Sequence, residues 1–244
     1  MTSWIKQDLK TLIAPAFDAL VRPHAWNLIE ISGDEGRIIW GRPFIDNFAV
    51  ELHLNVGSSD KEGCRFQTQL CLVSEGIAKL ELAAGFEIFD PDHKYVPPYR
   101  NAVIGIYIEG LRRLLHGGAM RFVEWRRASG LINSHLWSEM IEDSMKIISI
   151  DSGNPTDLAA HFLNLDKLAS RASPTPITFF VAPYLLAAET LIIFNDYRGA
   201  HYLLAHGKSE NWIQLSGPRI KLADDIRAKK IQRLSSFIST RLLH

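Results

Sequence analysis

Only two cysteines, Cys64 and Cys71, occur in the 244 residues. Both lie in the strand-like run CRFQTQLCLV. Their odd spacing points them to opposite faces of a continuous strand, with Cα atoms about 23 Å apart. A disulfide spans only ~4.4–6.8 Å between Cα atoms, so a bridge within that strand is excluded. The one Asn-x-Thr, Asn154-Pro155-Thr156, has proline at its centre and is no glycosylation acceptor. Both absences point to a reducing, cytoplasmic setting.

An excess of either charge is also missing. Lys plus Arg number 27 and Asp plus Glu number 27, so the formal net charge is zero. Attraction of the whole molecule to nucleic acid or anionic membrane is therefore not expected. No apolar run reaches the ~18 residues of a membrane span. The longest, around 177–194, is interrupted by Thr178, Pro183, Glu189 and Thr190. The opening MTSWIKQDLK alternates polar and apolar residues and carries Asp8 and Lys10, unlike a secretory leader. No dinucleotide or phosphate-loop glycine motif, no His-Glu-x-x-His and no paired Cys-x-x-Cys occurs, so no cofactor is called for. His116-Gly117-Gly118 is similar to an esterase oxyanion loop, but the Gly-x-Ser-x-Gly elbow that such an enzyme needs is absent.

What is present is alternation. In NFAVELHLNV, residues 47–56, Phe48, Val50, Leu52, Leu54 and Val56 fall on one parity, and Glu51, His53 and Asn55 on the other. CRFQTQLCLV continues the pattern across the polar loop GSSDKEG, which predicts a hairpin with one apolar and one polar face. NLIEIS and RIIW around GDEG predict an earlier hairpin over residues 27–40. A first helix is expected over residues 4–20, with Pro15 a candidate break and Pro23 just beyond its end.

Periodicity then turns helical. NAVIGIYIEGLRRLLHGG repeats apolar residues at three and four (Val103, Ile104, Tyr107, Ile108, Leu111, Leu114, Leu115), with Asn101 as cap and Gly117-Gly118 as stop. A stripe of Leu136, Met140, Ile141 and Ile148 predicts another helix. Asn154-Pro155 should open one that runs to about Ser170, and Pro183 one through YLLAAETLIIF. Asn195-Asp196 should separate that helix from YRGAHYLLAHG in an αα-hairpin. Ser216-Gly217-Pro218 opens a last helix with Ile226, Leu234, Ile238 and Leu242 along one side. The expected class is α+β: an antiparallel sheet in residues 1–100, packed with an N-terminal helix, and a mainly helical part in 101–244, the two forming one structural unit.

Three regions carry chemistry. The polar sheet face collects Glu51, His53, Arg65, Gln67 and Gln69, which reads either as a wet outer surface or as a recognition surface for a polar ligand. In FDPDHKYVPPY, Asp90, Asp92 and His93 suit a metal site or acid–base work, and equally a proline-stiffened turn. The last helix places seven Lys or Arg between Arg219 and Arg241 against Asp224 and Asp225, which suits an acidic partner or a solvated basic face.

The succession TLIAPAFDAL, GRIIWGRPF, FAVELHLNV and RFQTQLCLV resembles the front of certain uncharacterised bacterial α+β proteins, some encoded beside toxin genes and read as their immunity partners. The resemblance covers about the first 75 residues and implies a binding protein, with no catalytic residue carried over. The expected function is a non-enzymatic protein-binding module of the inhibitor or regulatory-partner type. The alternative is a small hydrolase or metal-dependent enzyme built on Asp90, Asp92 and His93. A protein partner is expected and nucleic acid is disfavoured. The sequence carries no signal of oligomeric state.

Overall fold

The computed structural model describes residues 3–84, 101–148, 154–170, 175–207 and 218–242. The elements begin with α1 (Ser3–Asp8), a π-helical turn (Leu9–Ile13), α2 (Ala14–Val21) and a 3-10 turn (Arg22–His24). Next come β1 (Asn27–Ser32), β2 (Arg37–Ile45), β3 (Phe48–Ser59), β4 (Gly63–Val73), α3 (Glu75–Ala83), β5 (Ala102–Tyr107) and α4 (Ile108–His116). Then follow β6 (Val123–Arg126), β7 (Leu131–Ile132), α5 (Ser134–Ile148), α6 (Pro155–Ala169), β8 (Ile177–Phe179), α7 (Pro183–Ile193), α8 (Tyr197–His206) and α9 (Pro218–Leu242). The class is α+β, as the alternation and the helical periods imply. The chain forms two compact units, Met1–Leu72 with Gly105–Ser149 and Val73–Ile104 with Ile150–His244.

In the first unit, β1, β2, β3 and β4 neighbour one another in that order, and β6 pairs with β4 and β7. Even-numbered side chains from Phe48 to Leu54 in β3 and from Cys64 to Leu72 in β4 are buried, whereas Val56, on the same parity, is half-buried. The alternation called for this parity. Their cover includes the first helical segment, where Ile5, Leu9, Ile13 and Phe17 recur every fourth residue and are all buried. The Phe17 ring lies 4.8 Å from Trp137, 5.4 Å from Phe66 and 6.3 Å from Trp40. Pro15 does not break this helix. Lacking an N–H, it cannot close the usual bond to Thr11, and the chain widens into the π turn, where Ala14 N–H reaches Leu9 O instead.

The β3–β4 turn is tighter than its polar composition suggests. Gly57, Ser58 and Ser59 continue β3. Asp60 closes the turn, its Oδ1 accepting from the N–H groups of Glu62 (2.8 Å) and Gly63 (3.1 Å). Gly63 is required where β4 meets β6, since a Cβ there would sit 2.1 Å from Trp125 O.

The helix expected from Asn101 onward is corrected. AVIGIY forms β5, and only Ile108–His116 is helical. A run that is apolar on every side fits a fully buried strand as well as a helix stripe. Its β-branched residues and Gly105 favour the strand. Asn101 sits at φ 63°, a turn rather than a cap.

In the second unit α3, α6, α7, α8 and α9 enclose one apolar core with Leu80, Ala159, Leu185, Ala188, Ile192, Ala200, Leu204, Leu234 and Ile238. Helix starts follow the capping signals. Asn154 Oδ1 accepts from Thr156 N–H at 3.0 Å, and Asp196 Oδ1 from Gly199 N–H at 2.9 Å. Every residue from Pro183 to Ile192 of α7 is buried, which makes it the central helix of this unit. β8 precedes it, and Phe180 N–H donates to Val103 O at 3.0 Å.

Phe17→Ala should destabilise the first unit by about 3–5 kcal/mol, read as a lower urea midpoint with near-native circular dichroism at low denaturant. A loss under about 1 kcal/mol would show that this ring does not centre the core.

Candidate functional site

The sequence-selected sheet residues separate on folding. Arg65 and Gln67 are exposed, Glu51 and Gln69 are half-buried, and His53 is fully buried. The wet-face placement of His53 is thus corrected. Opposite Ile39 in the β2–β3 ladder, its ring takes a core position, made tolerable by Glu51 Oε2 at 2.8 Å. Burial lowers the His53 pKa and outweighs the opposing pull of Glu51, so the ring is neutral and donates Nε2–H to that carboxylate. Alternation reports parity, not whether the second face is covered.

Arg65 instead joins an open cleft of about 330 Å³, lined by the β3 end, the Asp60 turn, the start of β4 and β6. Glu124 stands opposite Arg65 in the β4–β6 ladder. Its Oε1 accepts from Arg65 Nη2 at 3.0 Å and Nε at 3.2 Å. The guanidinium also lies 5.3 Å from the centre of the Phe122 ring. Asp60, Glu62 and Arg126 complete a rim of both signs. Cys64 lines the cleft as an inert thiol, pushed up to about 12 by burial, with smaller contributions from Asp60 and Asp8. Glu124 and Arg126 were missed because VEWR is too short to announce a strand.

Other sequence candidates find structural roles or fall outside the described residues. Asp90, Asp92 and His93 are outside them. Among the described residues no group of three His, Cys, Asp or Glu is arranged to hold a metal ion. Gly117 and Gly118 stop α4 at φ 69° and 84°, and His116 Nε2 lies 2.9 Å from Asp143 Oδ2. No described helix is long and apolar enough to cross a membrane.

The basic reading of α9 needs one correction, and it exposes a cluster that sequence reasoning missed. Lys230, Leu234 and Ile238 recur every fourth residue and are all buried. Lys230 thus occupies a core position rather than the solvated face. In α3, Glu81 shares the buried stripe of Ile77 and Leu80, and Glu189 sits within the buried Pro183–Ile192 stretch of α7. The three side chains converge. Lys230 Nζ donates to Glu81 Oε1 and lies 2.7 Å from Glu189 Oε1. That second approach is outside hydrogen-bond geometry, and both Glu189 carboxyl oxygens lack a hydrogen-bond partner among the described residues. A lone acid within PYLLAAETLII was the available signal, because a buried carboxyl demands a partner.

The first unit holds its own buried acid. Thr68 lies just past Gly63–Phe66, the stretch of β4 that β6 covers. Its N–H donates to Glu109 Oε1 at 2.8 Å. Glu109 Oε2 and Thr68 Oγ1 are buried without partners among the described residues. Burial pushes the Glu109 carboxyl up to about 7, against the pull of its hydrogen bonds.

No family model, curated protein or solved structure matches the chain.

Because the Glu109 pKa is raised on folding, its stabilising contribution is complete below the ordinary value of 4.5 and is lost as pH rises through about 7. The loss is on the order of 3 kcal/mol. Urea midpoints of the first unit's transition should fall between about pH 5 and pH 8 in the wild type and stay level in Glu109→Gln. Equal slopes in both proteins would contradict the assignment.

Proposed function

We propose that the chain is a non-enzymatic protein-binding module of the inhibitor or regulatory-partner type, and that its working surface is the cleft around Arg65. The observation that carries this reading is the state of that guanidinium: 52% exposed, yet fixed by two bonds to Glu124 and by the Phe122 ring. An exposed but preorganised arginine loses little side-chain freedom on binding, and arginine is enriched among residues that dominate interfaces.

The lining also bears on the partner's chemistry. At about 330 Å³ the cleft is at the low end of small-molecule sites, and charged groups line it where such sites are mostly apolar. Arg65 and Arg126 alternate with Asp60, Glu62 and Glu124, which suits a polar protein segment of mixed charge better than a polyanion. Gln67 adds an exposed amide with donors and an acceptor beside Arg65.

Wild-type protein used as bait in its own host's lysate should retain a stoichiometric partner. Arg65→Ala/Gln67→Ala should bind that partner at least tenfold more weakly, with a thermal midpoint within about 2 °C of wild type. A partner held equally by both proteins would overturn the placement of the surface.

A further inference from the structure

We propose that the Glu81–Lys230–Glu189 cluster is a one-proton clasp on the carboxyl-terminal helix: Glu189 carries a proton that it donates to Glu81, Lys230 remains an ammonium, and seating α9 takes up that proton.

Charge counting motivates this. If all three groups were ionised, the core would hold two carboxylates against one ammonium and retain a buried net negative charge. The side chains are 5%, 8% and 0% exposed for Glu81, Lys230 and Glu189, so water cannot screen it. Lys230 is committed most closely to Glu81, and neither oxygen of Glu189 accepts a hydrogen bond. A proton on Glu189 removes the excess charge and turns an unpartnered acceptor into a donor, with the Glu81 carboxyl gathered on the same Lys230 Nζ as its acceptor. Burial, opposed by Lys230 and reinforced by Glu81, raises the Glu189 carboxyl well above its usual range. For Lys230, burial alone would lower the pKa, and the two carboxylates outweigh it. Among the described residues the titratable groups acting on the cluster are Glu81 from α3, Glu189 from α7 and Lys230 from α9, while α6 and α8 bring Ala159, Ala200 and Leu204 to this core.

The sign of the linkage follows. An acid with a raised pKa in the docked state stabilises docking fully below its ordinary value of 4.5, and less as pH rises above it. Lys230 is also raised, so its contribution persists to beyond the ordinary lysine value of 10.5 and gives no slope near neutrality.

Hydrogen exchange by mass spectrometry on the full chain, corrected for chemical exchange, reads the clasp directly in peptides from residues 227–242. Between about pH 6 and pH 8, wild-type protection should fall up to ~tenfold per pH unit, the limit for one linked proton. In Glu189→Gln, whose amide also donates, protection should persist and lose its slope. Infrared difference spectra of the folded proteins give a second reading: the wild type should show the band of a buried protonated carboxyl that Glu189→Gln lacks. A flat wild-type profile, a Glu189→Gln profile with the wild-type slope, or an infrared band common to both would overturn the proposal.

Discussion

A carboxyl taken out of water must find a cation, a donor or a proton, and both units of this protein are organised around that requirement. In the first, Glu109 takes the N–H of Thr68 beyond the part of β4 that β6 pairs with. In the second, Glu81 and Glu189 converge on Lys230 inside the helical core. Apolar packing supplies most of the favourable free energy in each unit, but it is non-directional. The polar cluster adds direction, since Lys230 Nζ reaches Glu81 and Glu189 together only when α9 lies on α3 and α7 in one register. Specificity of this kind costs stability relative to a purely apolar core and restricts the alternatives.

Much of the architecture was legible because period and parity are local. Apart from Val56, the β3 and β4 runs bury the even-numbered residues that their alternation marks, and Asn154, Pro183 and Asp196 open helices as their chemistry requires. The strand β5 was not legible, since AVIGIY satisfies both templates when it is buried on every side. The short strands β6, β7 and β8 carry two to four residues each, too few for a period to register.

The site was less legible, for a different reason. Alternation assigned His53 to the polar face correctly in parity, but tertiary cover decides whether such a face is wet. Glu124 became visible only when β6 placed it opposite Arg65. Lys230 was hidden by its basic neighbours, although it falls in the four-residue stripe of Leu234 and Ile238. A charged residue in a core stripe, read together with acids in the stripes of Ile77–Leu80 and of α7, is a signal that composition alone obscures.

The central claim, that α9 is held by paired charge rather than by apolar contact alone, is tested most directly by comparing Lys230→Met with Glu81→Leu/Glu189→Leu/Lys230→Met in urea unfolding at pH 8. Stranding the buried Glu81 carboxylate beside Glu189 should cost about 3–5 kcal/mol, and removing all three polar groups should recover most of that loss. A Lys230→Met variant as stable as the wild type, or a triple variant less stable than Lys230→Met, would contradict the account.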